Sequence, residues 1–332
     1  MADPVSLILA GAAGGLGGQV AKDAWSAGKG WVARYLRGYA PAAQETAQQN
    51  VAQFLIGLAN RVNRLEERVG KTAGAVERFE KALKDPDFAA SLKSALLGAA
   101  RTGSREKHET IARGIIERLT SVPESTEALA STLAIEAIPR LSSSQLNLLR
   151  VAALINAIRP AGLPLPDEPP DGLGDYETTA AEMEALTEYP EWVVANLSPL
   201  SPDEFKTSDY THLVSSGCLI FERRPWLDIE DVLTAQGKRQ LTLASSRNYV
   251  GRLQELLWDT PGGTVLQRVW ENGLRDMILT PAGLLIGTAA HDVRNGAETP
   301  VNWAMSKSAL AGPPGVTSYG MGATSARSSW IG

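Results

Sequence analysis

Residues 85–158 read DPDFAASLKSALLGAARTGSREKHETIARGIIERLTSVPESTEALASTLAIEAIPRLSSSQLNLLRVAALINAI. This stretch decides the fold class. Asp85 can cap a helix that has Pro86 at its first position, where a missing N–H costs nothing. That helix should run to about Ala100. Arg101-Thr102-Gly103-Ser104 makes a turn, and a second helix spans Arg105 to Leu119. A third follows Pro123 and is ended by Pro139, and Ser142–Ser144 cap a fourth bearing Leu146, Leu149, Val151, Leu154, Ile155 and Ile158. Helix follows helix with short connections, the pattern of a helical bundle.

Toward the N-terminus the same reading extends over Ala42–Lys84. Leu55, Leu58, Val62, Leu65, Val69, Thr72, Val76, Phe79 and Leu83 alternate spacings of three and four. This heptad seam predicts one long helix. Gly57, Gly70 and Gly74 each weaken it by about 1 kcal/mol relative to Ala, so it needs packing against something. It is either the central helix of the bundle over 41–158 or a coiled coil through which the chain self-associates.

Toward the C-terminus Pro160, Pro164, Pro166, Pro169 and Pro170 interrupt the pattern. They define an acidic, Pro-rich linker region over 159–200 and a domain boundary. A smaller α/β module follows over 201–295. Ser201-Pro202-Asp203-Glu204 is a capping box. Ser208–Ser216 reads as a helix closed by Gly217, with strands at Cys218–Phe221 and Arg275–Leu279. Thr280-Pro281 opens a helix with Leu284, Leu285, Ile286 and Ala289. The Gly- and Ser-rich stretch 296–332 reads as a flexible tail in which Trp303 and Trp330 could dock.

The first forty residues stand apart. Pro4 to Ala21 carries no charge and is crowded with small residues, among them Gly11, Gly14, Gly15 and Gly18. Trp25, Trp31, Arg34, Tyr35 and Arg37 follow. Small residues four apart allow close helix approach in lipid. Trp and Tyr favour the headgroup level, and Arg favours anionic lipid. The run is slightly short of the roughly 20 apolar residues of a full span. A conditional membrane segment therefore fits better than a permanent anchor. The alternative is a Gly/Ala-rich helix packed inside the bundle, with the aromatic residues as core.

Charge is unevenly distributed: residues 1–120 carry 17 Lys/Arg against 12 Asp/Glu, whereas residues 160–232 carry 3 against 16. The net charge of −5 argues against a generic nucleic-acid coat. A single cysteine, Cys218, allows no intrachain disulfide and favours the cytoplasm, peripheral or conditional at the inner membrane. Asp3 stands where a secretion signal would be basic.

No catalytic constellation is legible. His108, His212 and His291 lack metal-ligand spacing to one another or to Cys218, and each reads as a surface or helix-end residue. Gly11–Gly17 resembles a dinucleotide turn, but no strand precedes it and no αβ alternation follows. The chain is therefore expected to be no enzyme and to need no metal or cofactor.

Leu213-Val214-Ser215-Ser216-Gly217-Cys218-Leu219-Ile220 is followed at a distance by Leu279-Thr280-Pro281-Ala282-Gly283. This layout resembles the wing of winged-helix proteins. Behind a helical, Gly/Ala-rich N-terminal half it is also similar to the bacterial abortive-infection alpha family, whose C-terminal module ends in an L-T-P-x-G segment. The resemblance implies phage defence by self-limiting toxicity and carries over no catalytic residue. The helix before Gly217 lies in the most acidic segment, which disfavours DNA contact and favours a protein partner. The expectation is a mainly α protein: a helical bundle, a winged-helix-like module, and an N-terminal segment acting on an anionic membrane. A soluble scaffold or adaptor without membrane activity is the alternative.

Overall fold

The computed structural model describes residues 34–35, 37–38, 40–69, 85–158, 180–222, 228–230, 232–233, 253–296, 298–301 and 303. The fold is mainly helical. Helix α1 spans Pro41–Val69, α2 Pro86–Ala100, α3 Arg105–Thr120, α4 Thr126–Ala137 and α5 Ser143–Asn156. Beyond them lie α6 (Ala180–Leu197), α7 (Thr207–Ser215), strand β1 (Leu219–Phe221), α8 (Pro261–Glu271), strand β2 (Met277–Leu279) and α9 (Pro281–Asn295).

The helix starts follow from local chemistry. Asp85, Ser104, Ser125, Ser142 and Thr280 each sit in extended backbone and accept a hydrogen bond from an amide of the following first turn. At Ser142 the box is reciprocal, because the Gln145 side chain accepts from the Ser142 amide at 2.9 Å. Pro86 and Pro281 stand in the first turns of α2 and α9, where proline removes no needed donor. The Ser201 box instead opens a single 3₁₀ turn, Pro202–Glu204, and α7 begins after it.

Helix α1 uses its described seam within the chain. Val51, Phe54, Leu55, Leu58, Val62 and Leu65 are buried, and α1 packs on α2 and α3. Seam positions from Val69 to Leu83 lie outside the residues whose side chains are described.

Two expectations about domain organisation are corrected. The region 159–200 is not linker throughout. Residues 180–197 form α6, whose Tyr189, Val193 and Leu197 are buried. The Tyr189 hydroxyl donates to the Leu154 carbonyl at 2.7 Å and joins α6 to α5. Proline disfavours the interior of a helix, but it does not show how soon the next helix begins, and α6 itself contains Pro190. Nor is 201–295 a module with its own core. Its last helix, α9, packs on α5, α3 and α4, and one hydrophobic cluster runs from Ala47 to Ile286.

The composition of α9 explains this. Every residue from Ala282 to Asp292 is buried. A helix with no polar face must be enclosed. Gly287 permits the closest crossing, because a Cβ there would collide with the Leu149 carbonyl and the Ala153 side chain of α5.

The strands form a two-stranded antiparallel ladder pairing Leu219 with Leu279, Ile220 with Ile278 and Phe221 with Met277. Thr280 closes it. Its amide donates to the Cys218 carbonyl at 3.1 Å, and its hydroxyl donates to the Gly217 carbonyl at 2.7 Å. The same hydroxyl oxygen accepts from the Gly283 amide at 3.0 Å. The Leu279-Thr280-Pro281-x-Gly283 segment is thus a strand-to-helix junction in which each residue type has a packing reason. The start of the expected tail is also docked. The Thr299 amide donates to Asp292 Oδ2 at 2.9 Å, and Val301 and Trp303 pack against the core.

Candidate functional site: a charged cleft between α1, α3 and α9

A cleft of about 620 Å³ opens where α1, α3 and the end of α9 meet. Arg61 and Arg64 come from α1, Arg105, Glu106 and Glu109 from α3, and Asp292 and Arg294 from α9, with Glu298 just beyond. The three elements converge because their apolar faces share the core, which leaves their charged edges side by side.

Several of these charges hold the walls together. Arg61 donates from both Nε and Nη2 to Glu109 Oε2, at 3.2 and 2.9 Å. Arg64 pairs with Glu298 at 3.2 Å. Behind them Arg113 donates to the Thr299 carbonyl at 3.1 Å, pairs with Glu117 at 2.7 Å and lies 3.8 Å from Asp292. Arg105, Glu106 and Arg294 make no ion pair among the described residues.

Deeper still, Arg150 on α5 is 1% exposed, and its Nε and Nη2 have no hydrogen-bond partner among the described residues. Burial, followed by the charge of Arg294, lowers its pKa to about 10, while Glu106 and Glu204 act in the opposite direction.

His291 sits beside this group on α9. It is buried edge-on against Trp192, with ring centroids 5.7 Å apart, and within 3.0 Å of the Asn295 side-chain nitrogen. Burial pulls its pKa below the ordinary value, with Arg150 adding to the effect and Asp292 opposing it. His108 is likewise buried. Its Nε2 donates to the Thr102 carbonyl at 2.7 Å and lies 3.2 Å from that of Ala99, so it ties the start of α3 to the end of α2. Of the two alternatives read from the sequence, surface or helix end, His108 and His291 are buried near helix ends. An isolated polar residue in a sequence does not reveal which neighbouring helix covers it. Among the described residues no cluster of three or more His, Cys, Asp or Glu could hold a metal ion.

Of the residues singled out for membrane contact, Gly11, Gly14, Gly15, Gly18, Trp25 and Trp31 lie outside the described residues. Arg34, Tyr35 and Arg37 are exposed, Tyr35 by 47%. Sequence reasoning did not single out the cleft. Its members run from Arg61 to Glu298, and no local spacing connects them. The legible signal was the arginine pair at positions 61 and 64, one helical turn apart.

The fold and the cleft define a mainly helical protein built on one shared core. A protein-family model described only as ":-like" matches residues 18–254, more than half of the chain, and the chain belongs to that family. No curated protein and no solved structure matches the chain.

Proposed function

We propose that the protein is a bacterial defence effector without enzymatic chemistry, in which residues 1–40 act on an anionic membrane under the control of the C-terminal module. The observation that carries this reading is the junction at residues 34–38. Arg34, Tyr35 and Arg37, the described members of the aromatic-basic cluster, are exposed and do not join the core. They belong to the cluster that follows the uncharged run Pro4–Ala21 along the chain, an order suited to the membrane interface. Among the described residues no helix is long and apolar enough to cross a membrane, so the proposal puts lipid contact on residues 4–39. The similarity of Leu279–Gly283 to the abortive-infection alpha family supports the defence role. The ladder between α7 and α9 suits a winged-helix-like element that meets a protein partner. Self-association through the heptad helix is part of the same reading.

One observation favours the alternative of a helical scaffold without membrane activity. Residues 282–290 of helix α9 are also an uncharged run with glycines four apart, Gly283 and Gly287, and they are enclosed by protein. Residues 11–18 could pack in the same way.

Flotation on anionic vesicles separates the two readings. The membrane reading expects the full chain to float, a chain lacking residues 1–40 to stay at the bottom, and Gly14→Leu with Gly15→Leu to weaken both flotation and toxicity. If the full chain also stays at the bottom, residues 1–40 are structural and the scaffold reading holds.

A further inference from the structure

We propose that the outward face of α4 is a self-docking surface, on which a second copy of this chain packs antiparallel about a twofold axis. The core face of α4 holds Ala130, Ala134 and Ile135, and its outward face holds Thr126, Leu129, Leu133 and Glu136. A surface helix normally turns polar and charged residues to water. Here the middle of the outward face is Leu129 and Leu133, exposed by 57% and 58%. Val122, exposed by 67%, extends the apolar surface into the turn before the helix.

The charges around this stripe decide what covers it. Glu124 precedes the helix, Glu136 lies in its last turn, and Arg140 ends the 3₁₀ turn that follows. All three are exposed, and none makes an ion pair among the described residues. In an antiparallel pair, Leu129 of each copy meets Leu133 of the other. That register sets Glu136 opposite Thr126, at the positive N-terminal end of the other copy's α4. It sets Arg140 opposite Val122, two residues from the other copy's Glu124. Both ends repeat by symmetry, as an isologous contact requires. A parallel pair would instead stack Glu136 on Glu136 and Arg140 on Arg140, and like charges brought together oppose association. The face is therefore complementary to itself in one direction only. A helix of 12 residues is only about 18 Å long, so its outward stripe falls short of the roughly 800 Å² per partner of a stable interface. The dimer is accordingly weak and concentration-dependent.

The test is sedimentation equilibrium of the full chain, without lipid, from micromolar to millimolar concentration. The wild type should pass from monomer to dimer as concentration rises. Leu129→Glu and Leu133→Glu should each weaken association about tenfold or more, by placing a charge in the apolar contact. Both side chains face water in the monomer, so its melting temperature should hold. Ile56→Glu, at an exposed apolar position on α1, should leave association unchanged. Arg140→Glu should weaken it, and adding Glu124→Arg should restore it. Disulfide trapping reads the direction, and the native Cys218 is buried. Thr126→Cys chains mixed with Glu136→Cys chains should cross-link. Neither should do so alone, because the two positions lie about 15 Å apart along the helix. The proposal is overturned if the full chain stays monomeric at millimolar concentration, or if Thr126→Cys chains cross-link by themselves. It is also overturned if association survives Leu133→Glu, as pairing through the heptad helix would. No outcome depends on lipid, so this proposal and the membrane reading can fail separately.

Discussion

His291 shows how one buried side chain connects packing to pH. It is enclosed between Trp192 and Asn295, and its charged form is disfavoured by burial and then by Arg150, with Asp292 opposing. Its pKa in the folded protein therefore lies below the ordinary value of 6.5. Between the two values the unfolded chain binds more protons than the folded one, so stability rises with pH. The contribution is complete above 6.5 and is lost as the pH falls toward the folded value. Asp85 has the opposite chemistry but acts elsewhere. Burial raises its pKa, yet the hydrogen bonds and charge of Arg118 and the Asp87 amide bring it below 3.8, so its contribution is lost only in stronger acid. Urea midpoints at pH 7.5 and pH 5.5 should fall on acidification for the wild-type chain. His291→Gln should flatten that fall, even if the variant is less stable at both pH values. Equal slopes in the two proteins would mean that another group governs the window.

At the scale of elements, what a glycine faces decides the effect of replacing it. Gly57 lies inside α1, and a Cβ there would meet only Glu109 Oε1, at an ordinary 3.8 Å. Gly57→Ala should therefore recover the propensity cost and stabilise the protein by about 1 kcal/mol. Gly287 lies inside α9, where a Cβ would meet the α5 backbone at Leu149 as well as the Ala153 side chain. Gly287→Ala should force α9 away from α5 and destabilise by about 3 kcal/mol, the upper part of the overpacking range. Denaturation of the two variants beside the wild type measures both, and the same sign at both sites would contradict the crossing described.

This contrast also shows what the sequence could and could not reveal. Caps are local chemistry, so the starts of α2, α3, α5 and α9 could be read from Asp85, Ser104, Ser142 and Thr280. Helical period is local as well, and the seam residues Leu55 to Leu65 were recognisable as a buried face. Depth in the molecule is not local. The run Ala282–Ala290 has no polar face, which signals enclosure, but nothing in it names α3, α4 and α5 as the helices around it. The cleft was hidden for the same reason. Arg61, Arg105 and Arg294 become neighbours only when three distant elements share a core.

At the scale of the whole molecule, the Pro-rich break after Ile158 divides the sequence without dividing the core. Helix α9 fills the space between α3, α4 and α5, and Arg113 on α3 donates to the Thr299 carbonyl beyond it. The bundle 41–158 alone would expose the apolar side chains that α9 covers, and elements that share buried surface fold together. A fragment of residues 34–160 should therefore melt broadly, bind a hydrophobic dye and lack near-ultraviolet ellipticity, the properties of a loosely packed helical state. Adding a fragment of residues 176–303 should restore a sharp transition. The full chain should show one calorimetric transition whose calorimetric and van't Hoff enthalpies agree. If the first fragment alone melts sharply with native ellipticity, the bundle is an independent domain and α9 only decorates it. In that case the cleft, which needs Arg294 beside Arg105, would be an interface between two domains, and its charges could separate when the domains do.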